Sequence, residues 1–346
     1  MTRDKSIAFW LFTCAAAVFL MALLGAVTRL TESGLSIVEW KPITGALLPA
    51  GEQGWNHEFS LYQSSPQYKQ VNAGMSLDDF KKIYFCEWLH RLWGRMIGGI
   101  YFIPLLWFWA RGRIPAAAHK PLLGILALGF LQGAVGWFMV KSGLVDAPAV
   151  SHYRLALHLG LAFVIFCCLF RMGLAFSITP EPSAKNLSPL RKWVMAATAL
   201  AGVTMVWGAF VAGLRAGVIY NDNFPFMGSH LWPGEMFHFS PWWSNFFENH
   251  AAVQFTHRVL ALFTFCAMTA LVAKGLSLNP PPRLNRMLQL LLIMVCVQLG
   301  LGITTLVTHV NIVVASLHQA GALTVIALLM LLLHDIPKKE DAHAVH

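Results

Sequence analysis

The sequence has little charge. Asp, Glu, Lys and Arg make up 12% of its 346 residues, well below the share in a soluble globular chain. An ordinary water-facing surface over most of the chain is thereby excluded, and 57% hydrophobic residues stand in its place. Acids are scarcer than bases, 16 against 25. The resulting net charge of +9 is nevertheless no nucleic-acid face, because the bases are scattered over short segments between apolar runs. The polar segments also lack cysteine. Cys14, Cys86, Cys167, Cys168, Cys266 and Cys296 all fall within or at the edge of apolar runs, which excludes a loop disulfide framework and makes them small packing residues. The apolar runs are continuous and too long for the tilted strands of a membrane barrel.

Eight apolar stretches are present, at roughly 7–27, 84–109, 120–140, 152–172, 193–213, 250–273, 287–308 and 311–334. Each is close to the ~20 residues a helix needs to cross a bilayer. The expected fold is an all-α integral membrane protein with eight transmembrane helices. The first stretch is read as a retained span rather than a signal peptide. It is longer than a usual apolar signal core, and no clear small-x-small cleavage site follows it before Arg29. Arg3, Lys5, Arg111, Arg113, Lys120, Arg171, Lys185, Arg191, Lys192, Lys274, Arg283, Arg286, Lys338 and Lys339 share one side, and hold 14 of the 25 bases. The long connection 28–83 on the other side mixes five bases with six acids. The positive-inside rule then places both termini in the cytoplasm, with a bacterial inner membrane as the expected location.

The chain repeats itself. Gly25-Ala26-Val27 leads to Arg29, as Gly208-Ala209-Phe210 leads to Arg215. Glu87-Trp88-Leu89-His90-Arg91 matches Gln254-Phe255-Thr256-His257-Arg258. Gln132-Gly133-Ala134-Val135-Gly136 matches Gln298-Leu299-Gly300-Leu301-Gly302, and Leu157-His158 matches Leu317-His318. The expectation is two tandem pseudo-symmetric four-helix bundles, 1–173 and 193–346, joined by a cytoplasmic linker at 174–192. Four spans separate the copies, so the repeat is parallel.

His90, His158, His257 and His318 each stand about seven residues inside an even-numbered span, about 10 Å below the outer surface. A lone intramembrane histidine is often a structural hydrogen-bonding group. Four at one depth, two per half, point instead to a functional layer. Two imidazoles on facing helices of a bundle suit a six-coordinate haem iron. Zinc or copper would call for further ligands, and no Cys or carboxylate has suitable spacing in the second half. The halves differ where Glu87 is replaced by Gln254. A carboxylate can take a proton or stabilise developing positive charge, and an amide cannot titrate. This asymmetry suggests a catalytic site in the first half, with Glu87, and a resident haem in the second. An interfacial acid paired with Arg91 or Lys82 is the structural alternative for Glu87. Arg91 and Arg258 are candidate propionate contacts, with snorkelling to lipid phosphate as their alternative. His152, His250 and His309 read as interfacial, and Trp88, Trp137, Trp242 and Trp243 as an aromatic belt.

The run Thr28-Arg29-Leu30-Thr31-Glu32-Ser33-Gly34-Leu35-Ser36, then Glu39-Trp40-Lys41-Pro42, Asn72-Ala73-Gly74-Met75 and Glu87 to Arg95, resembles the heme A synthase family. The likeness covers essentially the whole chain. It implies conversion of heme O to heme A for cytochrome oxidase, by successive hydroxylations of one pyrrole methyl with water-derived oxygen. It further implies haem b on His257 and His318, substrate haem on His90 and His158, and Glu87 as the reacting carboxylate. The implied partners are the heme O substrate, heme O synthase, an unidentified electron acceptor and the lipid bilayer. The chain lacks the cysteine pair that some members carry in the first outer loop, so no redox role for such a pair carries over. A b-type membrane cytochrome, a haem transporter or chaperone, and a transporter without haem remain the alternatives from the residues alone.

Overall fold

Backbone N–H and C=O groups in hydrocarbon must be satisfied within the chain, which favours helices wherever the apolar runs lie. A computed structural model describes residues 3–145, 148–179 and 187–336. Lys185, Lys338, Lys339 and part of the expected linker lie outside these residues. The helices in chain order are α1 (Lys5–Leu30), α2 (Gly51–Gln63), α3 (Pro66–Gln70), α4 (Leu77–Ala110), α5 (Ala116–Lys141) and α6 (His152–Ser177). They continue with α7 (Ser188–Gly213), α8 (Asn245–Glu248), α9 (His250–Ser277), α10 (Pro282–Val307) and α11 (Ile312–Asp335). No strand occurs among the described residues, only an isolated bridge between Met227 and His230.

Each of the eight expected stretches falls in a helix. Among the described residues, seven helices are long and apolar enough to cross a membrane: α1, α5, α6, α7, α9, α10 and α11. The chain is thus an all-helical, multi-pass membrane protein. The remaining stretch lies in α4, whose 34 residues span about 51 Å. Its mean hydropathy is held down by His90, Arg91 and Arg95 among several Trp and Gly residues. It also starts at Leu77, about two turns before the expected 84. Ser76 explains the earlier start. Its Oγ accepts from Asp79 N at 3.1 Å and donates to the Asp79 carboxylate at 2.7 Å, an N-cap that also holds negative charge at the helix N-terminus. α9 and α11 begin with asparagine caps, where Asn249 Oδ1 accepts from Ala251 N and Asn311 Oδ1 from Val313 N.

The residues group into two compact units, Ala16–Ile165 on one hand and Met1–Ala15 with Phe166–His346 on the other. In the second, α7 packs on α9, α9 on α10, α10 on α11, and α11 back on α7, closing a ring of four. In the first, α4 packs on α5 and on α2, and Trp93 of α4 donates to Ala17 O of α1 at 2.9 Å.

The connection 28–83 folds into a small aromatic core of its own. Ile37, Tyr62, Phe80 and Tyr84 are buried together, with Trp55, Phe59, Tyr68 and Trp88 packed against them. Tyr62 and Phe80 stack with ring centroids 5.2 Å apart. The Tyr62 hydroxyl donates to Gln67 Oε1 at 3.1 Å and accepts from Asn72 Nδ2 at 2.7 Å, and burial pushes its phenol pKa up. Gln67 Nε2 reaches back to Glu32 O at 2.9 Å, closing the loop on its own beginning. Truncating the fully buried Phe80 to Ala is expected to cost about 3–5 kcal/mol, enough to loosen this core locally. Limited proteolysis should then cut within 28–83 much faster while helix content by circular dichroism stays the same. Unchanged cleavage would show that the aromatic core does not hold the loop.

Candidate functional site

The site begins with a clasp at the outer end of α4. Glu87 is 3% exposed, and both of its oxygens are filled. Oε2 accepts from Ser36 Oγ at 2.7 Å and from Ile37 N at 2.8 Å. Oε1 accepts from Arg91 Nη2 at 2.7 Å and Nε at 3.1 Å, one helical turn further on. Arg91 also donates from Nη2 to Ile37 O at 2.8 Å and from Nη1 to Glu39 O at 3.2 Å, and its guanidinium lies over the Trp40 ring. Arg95, a turn deeper, donates to Pro42 O and Lys41 O at 2.8 and 2.9 Å, and Trp88 Nε1 donates to Ala46 O. The helix thus holds residues 36–37 by their donors to Glu87 and residues 37–46 by carbonyls.

The second half repeats the clasp with its polarity inverted. Gln254 is buried at the position matching Glu87. Its Nε2 donates to Ala216 O and Ile219 O at 2.8 and 2.7 Å, where Glu87 accepts. Its Oε1 accepts from Arg258 Nη2 at 3.1 Å. Arg258 donates further to Tyr220 O and Pro225 O and lies over the Phe224 ring, as Arg91 lies over Trp40. Arg258 Nε is buried with no acceptor among the described residues.

The four histidines lie on α4, α6, α9 and α11, all half-buried. His90 lies within electrostatic reach of His158, and His257 within reach of His318. His257 Nδ1 is 3.1 Å from Thr204 O. A carbonyl only accepts, so Nδ1 carries the proton and Nε2 keeps its lone pair, the state a metal-binding imidazole needs. Gln298 Nε2 donates to His318 O at 2.9 Å, while His318 Nδ1 and Gln298 Oε1 are buried without partners among the described residues. Gln132 Nε2 lies 3.1 Å from His158 O and 3.2 and 3.3 Å from the two ring nitrogens. Among the described residues, Glu39, His57 and Glu58 are the one cluster of three or more His, Cys, Asp or Glu close enough to share an ion. Among the described residues no third such ligand joins either histidine couple. Two imidazoles without a third ligand fit a haem iron, whose porphyrin supplies the equatorial nitrogens, better than a bare zinc or copper ion.

The remaining loop groups are engaged in pairs. Lys41 Nζ lies 2.6 Å from Glu39 and 2.7 Å from Glu58, so an ammonium already fills that acidic cluster. Its hydrogen bond lowers the pKa of Glu39, and those to Glu39 and Glu58 raise that of Lys41. Tyr220 donates to Glu235. Burial first, and then that contact, push the Tyr220 phenol up to about 12. His309 lies 3.5 Å from Asp222, both exposed, and His250 begins α9.

The sequence singled out Glu87, Arg91 and the four histidines, and the structure adds their partners. The Glu87 carboxylate goes to Arg91, one of its two expected structural partners, whereas Lys82 pairs with Asp79. Sequence reading missed Ser36, Thr204, Gln132 and Gln298 as partners. The two glutamines stood in the matched repeat runs, which was a usable signal. The Thr204 carbonyl left no signal at all.

The model of the cytochrome oxidase assembly protein family (COX15-CtaA) matches residues 8–330. The heme A synthase of Rhodospirillum centenum is 50% identical over 333 residues, covering 95% of this chain and 88% of that protein. That of Nitrosospira multiformis is 44% identical over 341 residues, covering 97% of this chain and 95% of its own. Heme A synthase COX15 of Arabidopsis thaliana is 42% identical over 345 residues, with 96% of this chain and 75% of the plant protein covered. With the match running through both clasps and all four histidines, the chain belongs to the cytochrome oxidase assembly protein family COX15-CtaA.

Proposed function

We infer that the chain is a heme A synthase, an oxidoreductase that converts the pyrrole methyl of heme O to the formyl group of heme A for cytochrome oxidase. The observation that carries this reading is the exchange of Glu87 for Gln254 inside two otherwise matched clasps, each beside a histidine couple. An electron-transfer cytochrome has no need of that exchange. Family membership with named heme A synthases supports the same reaction.

The architecture that goes with this reading has eight spans, with α4 as the eighth, arranged as two tandem four-helix bundles at 1–173 and 193–346. Both termini face the cytoplasm of a bacterial inner membrane. His90 and His158 hold the iron of the substrate, and His257 and His318 hold a haem b cofactor. The protonated Nδ1 of His257 supports that assignment. A bound haem b supplies one-electron redox capacity. Arg258 and Arg91 keep a propionate role through the donors the loops leave over. Heme O synthase is the partner that delivers the substrate.

Oxidation of a methyl to a formyl group with water-derived oxygen follows R–CH3 + H2O → R–CHO + four protons + four electrons. The electrons leave to an acceptor outside the chain, and the protons need a route. Glu87 is the titratable group nearest this task, yet its four acceptor sites are filled by Ser36, Ile37 and Arg91. In this arrangement it is an electrostatic stabiliser of positive charge. Movement of residues 36–37 would withdraw the two donors on Oε2 and leave Oε1 held by Arg91. The loop 28–83 then covers the substrate and governs Glu87 together.

Glu87→Gln should lower heme A formation about a hundredfold or more, the scale of a positioned acid–base group, with haem b content unchanged. Full heme A production by this variant would remove Glu87 from the reaction. Ser36→Ala deletes one of four acceptances and should lower the rate, though less than Glu87→Gln does; a rate equal to the parent's would break the link between loop and carboxylate. The reaction itself is tested by mass analysis of haems from membranes that make heme O, with and without the chain. Heme A should accumulate only with it, and heme O alone in both samples would overturn the assignment.

A further inference from the structure

Each of the four histidines rests on a glycine of the helix that precedes it among the long helices. A Cβ built on Gly25 of α1 would lie 3.4 Å from His90 Cε1. One on Gly136 of α5 would lie 3.0 Å from His158 Cε1. One on Gly208 of α7 would lie 3.1 Å from His257 Cε1, and one on Gly302 of α10 would lie 2.9 Å from His318 Cε1. All four meet the same atom, the carbon between the two ring nitrogens. Small residues at helix contacts are common in membranes, but these do not simply follow that trend. Of the other glycines in the long helices, Gly98, Gly99, Gly124, Gly129, Gly133, Gly160, Gly202 and Gly300 have nothing within 4 Å of such a Cβ, while Gly94, Gly173, Gly275 and Gly321 meet Met21, Phe12, Leu288 and Gln298.

A second regularity accompanies the first. Thr204 stands four residues, one helical turn, before Gly208, and its carbonyl takes the Nδ1 proton of His257. Gln132 and Gln298 stand four residues before Gly136 and Gly302, and their amides donate to the carbonyls of His158 and His318. In three of four cases, then, one face of the preceding helix offers a polar contact and, a turn later, a bare backbone against the ring edge. Cε1 is bonded to both nitrogens, so pressure there moves the ligating nitrogen and the ring plane together.

We propose that Gly25, Gly136, Gly208 and Gly302 are positioning residues that seat the four imidazoles and fix the direction in which each presents its ligating nitrogen. The proposal rests on the reading that these histidines hold haem iron. The clearance sets a rank. Ala at Gly302 and Gly136 displaces the ring most, at Gly208 somewhat less, and at Gly25, where 3.4 Å is ordinary contact, least.

The test uses the full-length chain purified in detergent, with haem b per polypeptide measured as the pyridine haemochrome. The g-values and midpoint potential of the retained haem are measured beside it. Gly302→Ala and Gly208→Ala should lose haem several-fold or retain it with shifted g-values and potential, the former more strongly. Gly300→Ala, in open space, should match the parent in all three. Alanine is the better helix former, so a Gly302 with no packing against the imidazole would predict equal or better folding and an unchanged spectrum. Should Gly302→Ala fail to assemble, Gly208→Ala still reads the seat of His257, the other ligand of the same haem. Unchanged content, g-values and potential in Gly302→Ala and Gly208→Ala would overturn the proposal, as would equal damage from Gly300→Ala. His257→Ala and His318→Ala separate this from the parent reading. Full haem b content in both would sink the ligand assignment itself, whereas haem loss there with silent glycine variants would sink only the seats.

Discussion

The interaction on which the site depends is the pair one turn apart at the outer end of α4, Glu87 with Arg91, and its counterpart Gln254 with Arg258 on α9. Each arginine donates both to its helix neighbour and to carbonyls of the outer loop, and each lies over an aromatic ring of that loop. A guanidinium held by four hydrogen bonds and a ring is fixed in space. It transfers that fixity to the loop above and to the helix turn that carries the histidine. Removing one member of the buried Glu87–Arg91 pair leaves an uncompensated charge, a loss on the order of 3–5 kcal/mol, so the pair resists drift.

The two clasps solve one mechanical problem with opposite chemistry. Glu87 accepts from Ser36 and Ile37, whereas Gln254 donates to Ala216 and Ile219. The loop must therefore present a backbone N–H and a serine hydroxyl in the first half and two backbone carbonyls in the second. An amide in place of Glu87 would turn a donor toward donors. The carboxylate in the first half is thus written into the loop that meets it. That is why the first half has a titratable group beside its histidines and the second does not.

Much of this was legible beforehand for a physical reason. A membrane forces long apolar runs, so all eight stretches could be seen and all fell in helices, and a tandem repeat shows up as matched short runs around His90, His158, His257 and His318. The start of α4 at Leu77 was missed because Ser76 and Asp79 sit in a polar stretch with no apolar period to draw attention to the cap. The interior of 28–83 stayed unread because its core joins Ile37 to Tyr62 and Phe80, residues far apart in sequence with no repeating pattern. Thr204 acts through its backbone carbonyl, which any residue carries, so no side-chain pattern marked it. Gly25, Gly136, Gly208 and Gly302 were visible as members of the repeat, but only packing reveals that they face imidazoles while Gly133 and Gly300 of the same runs face open space.

The central claim is that each histidine couple holds an iron porphyrin through two ring nitrogens. Its most direct test is electron paramagnetic resonance with near-infrared magnetic circular dichroism on the oxidised, purified full chain. Low-spin ferric haem with two imidazole axial ligands is the expected result. High-spin or five-coordinate iron as the main species, or a chain purified in its folded form with no Soret absorption, would contradict it.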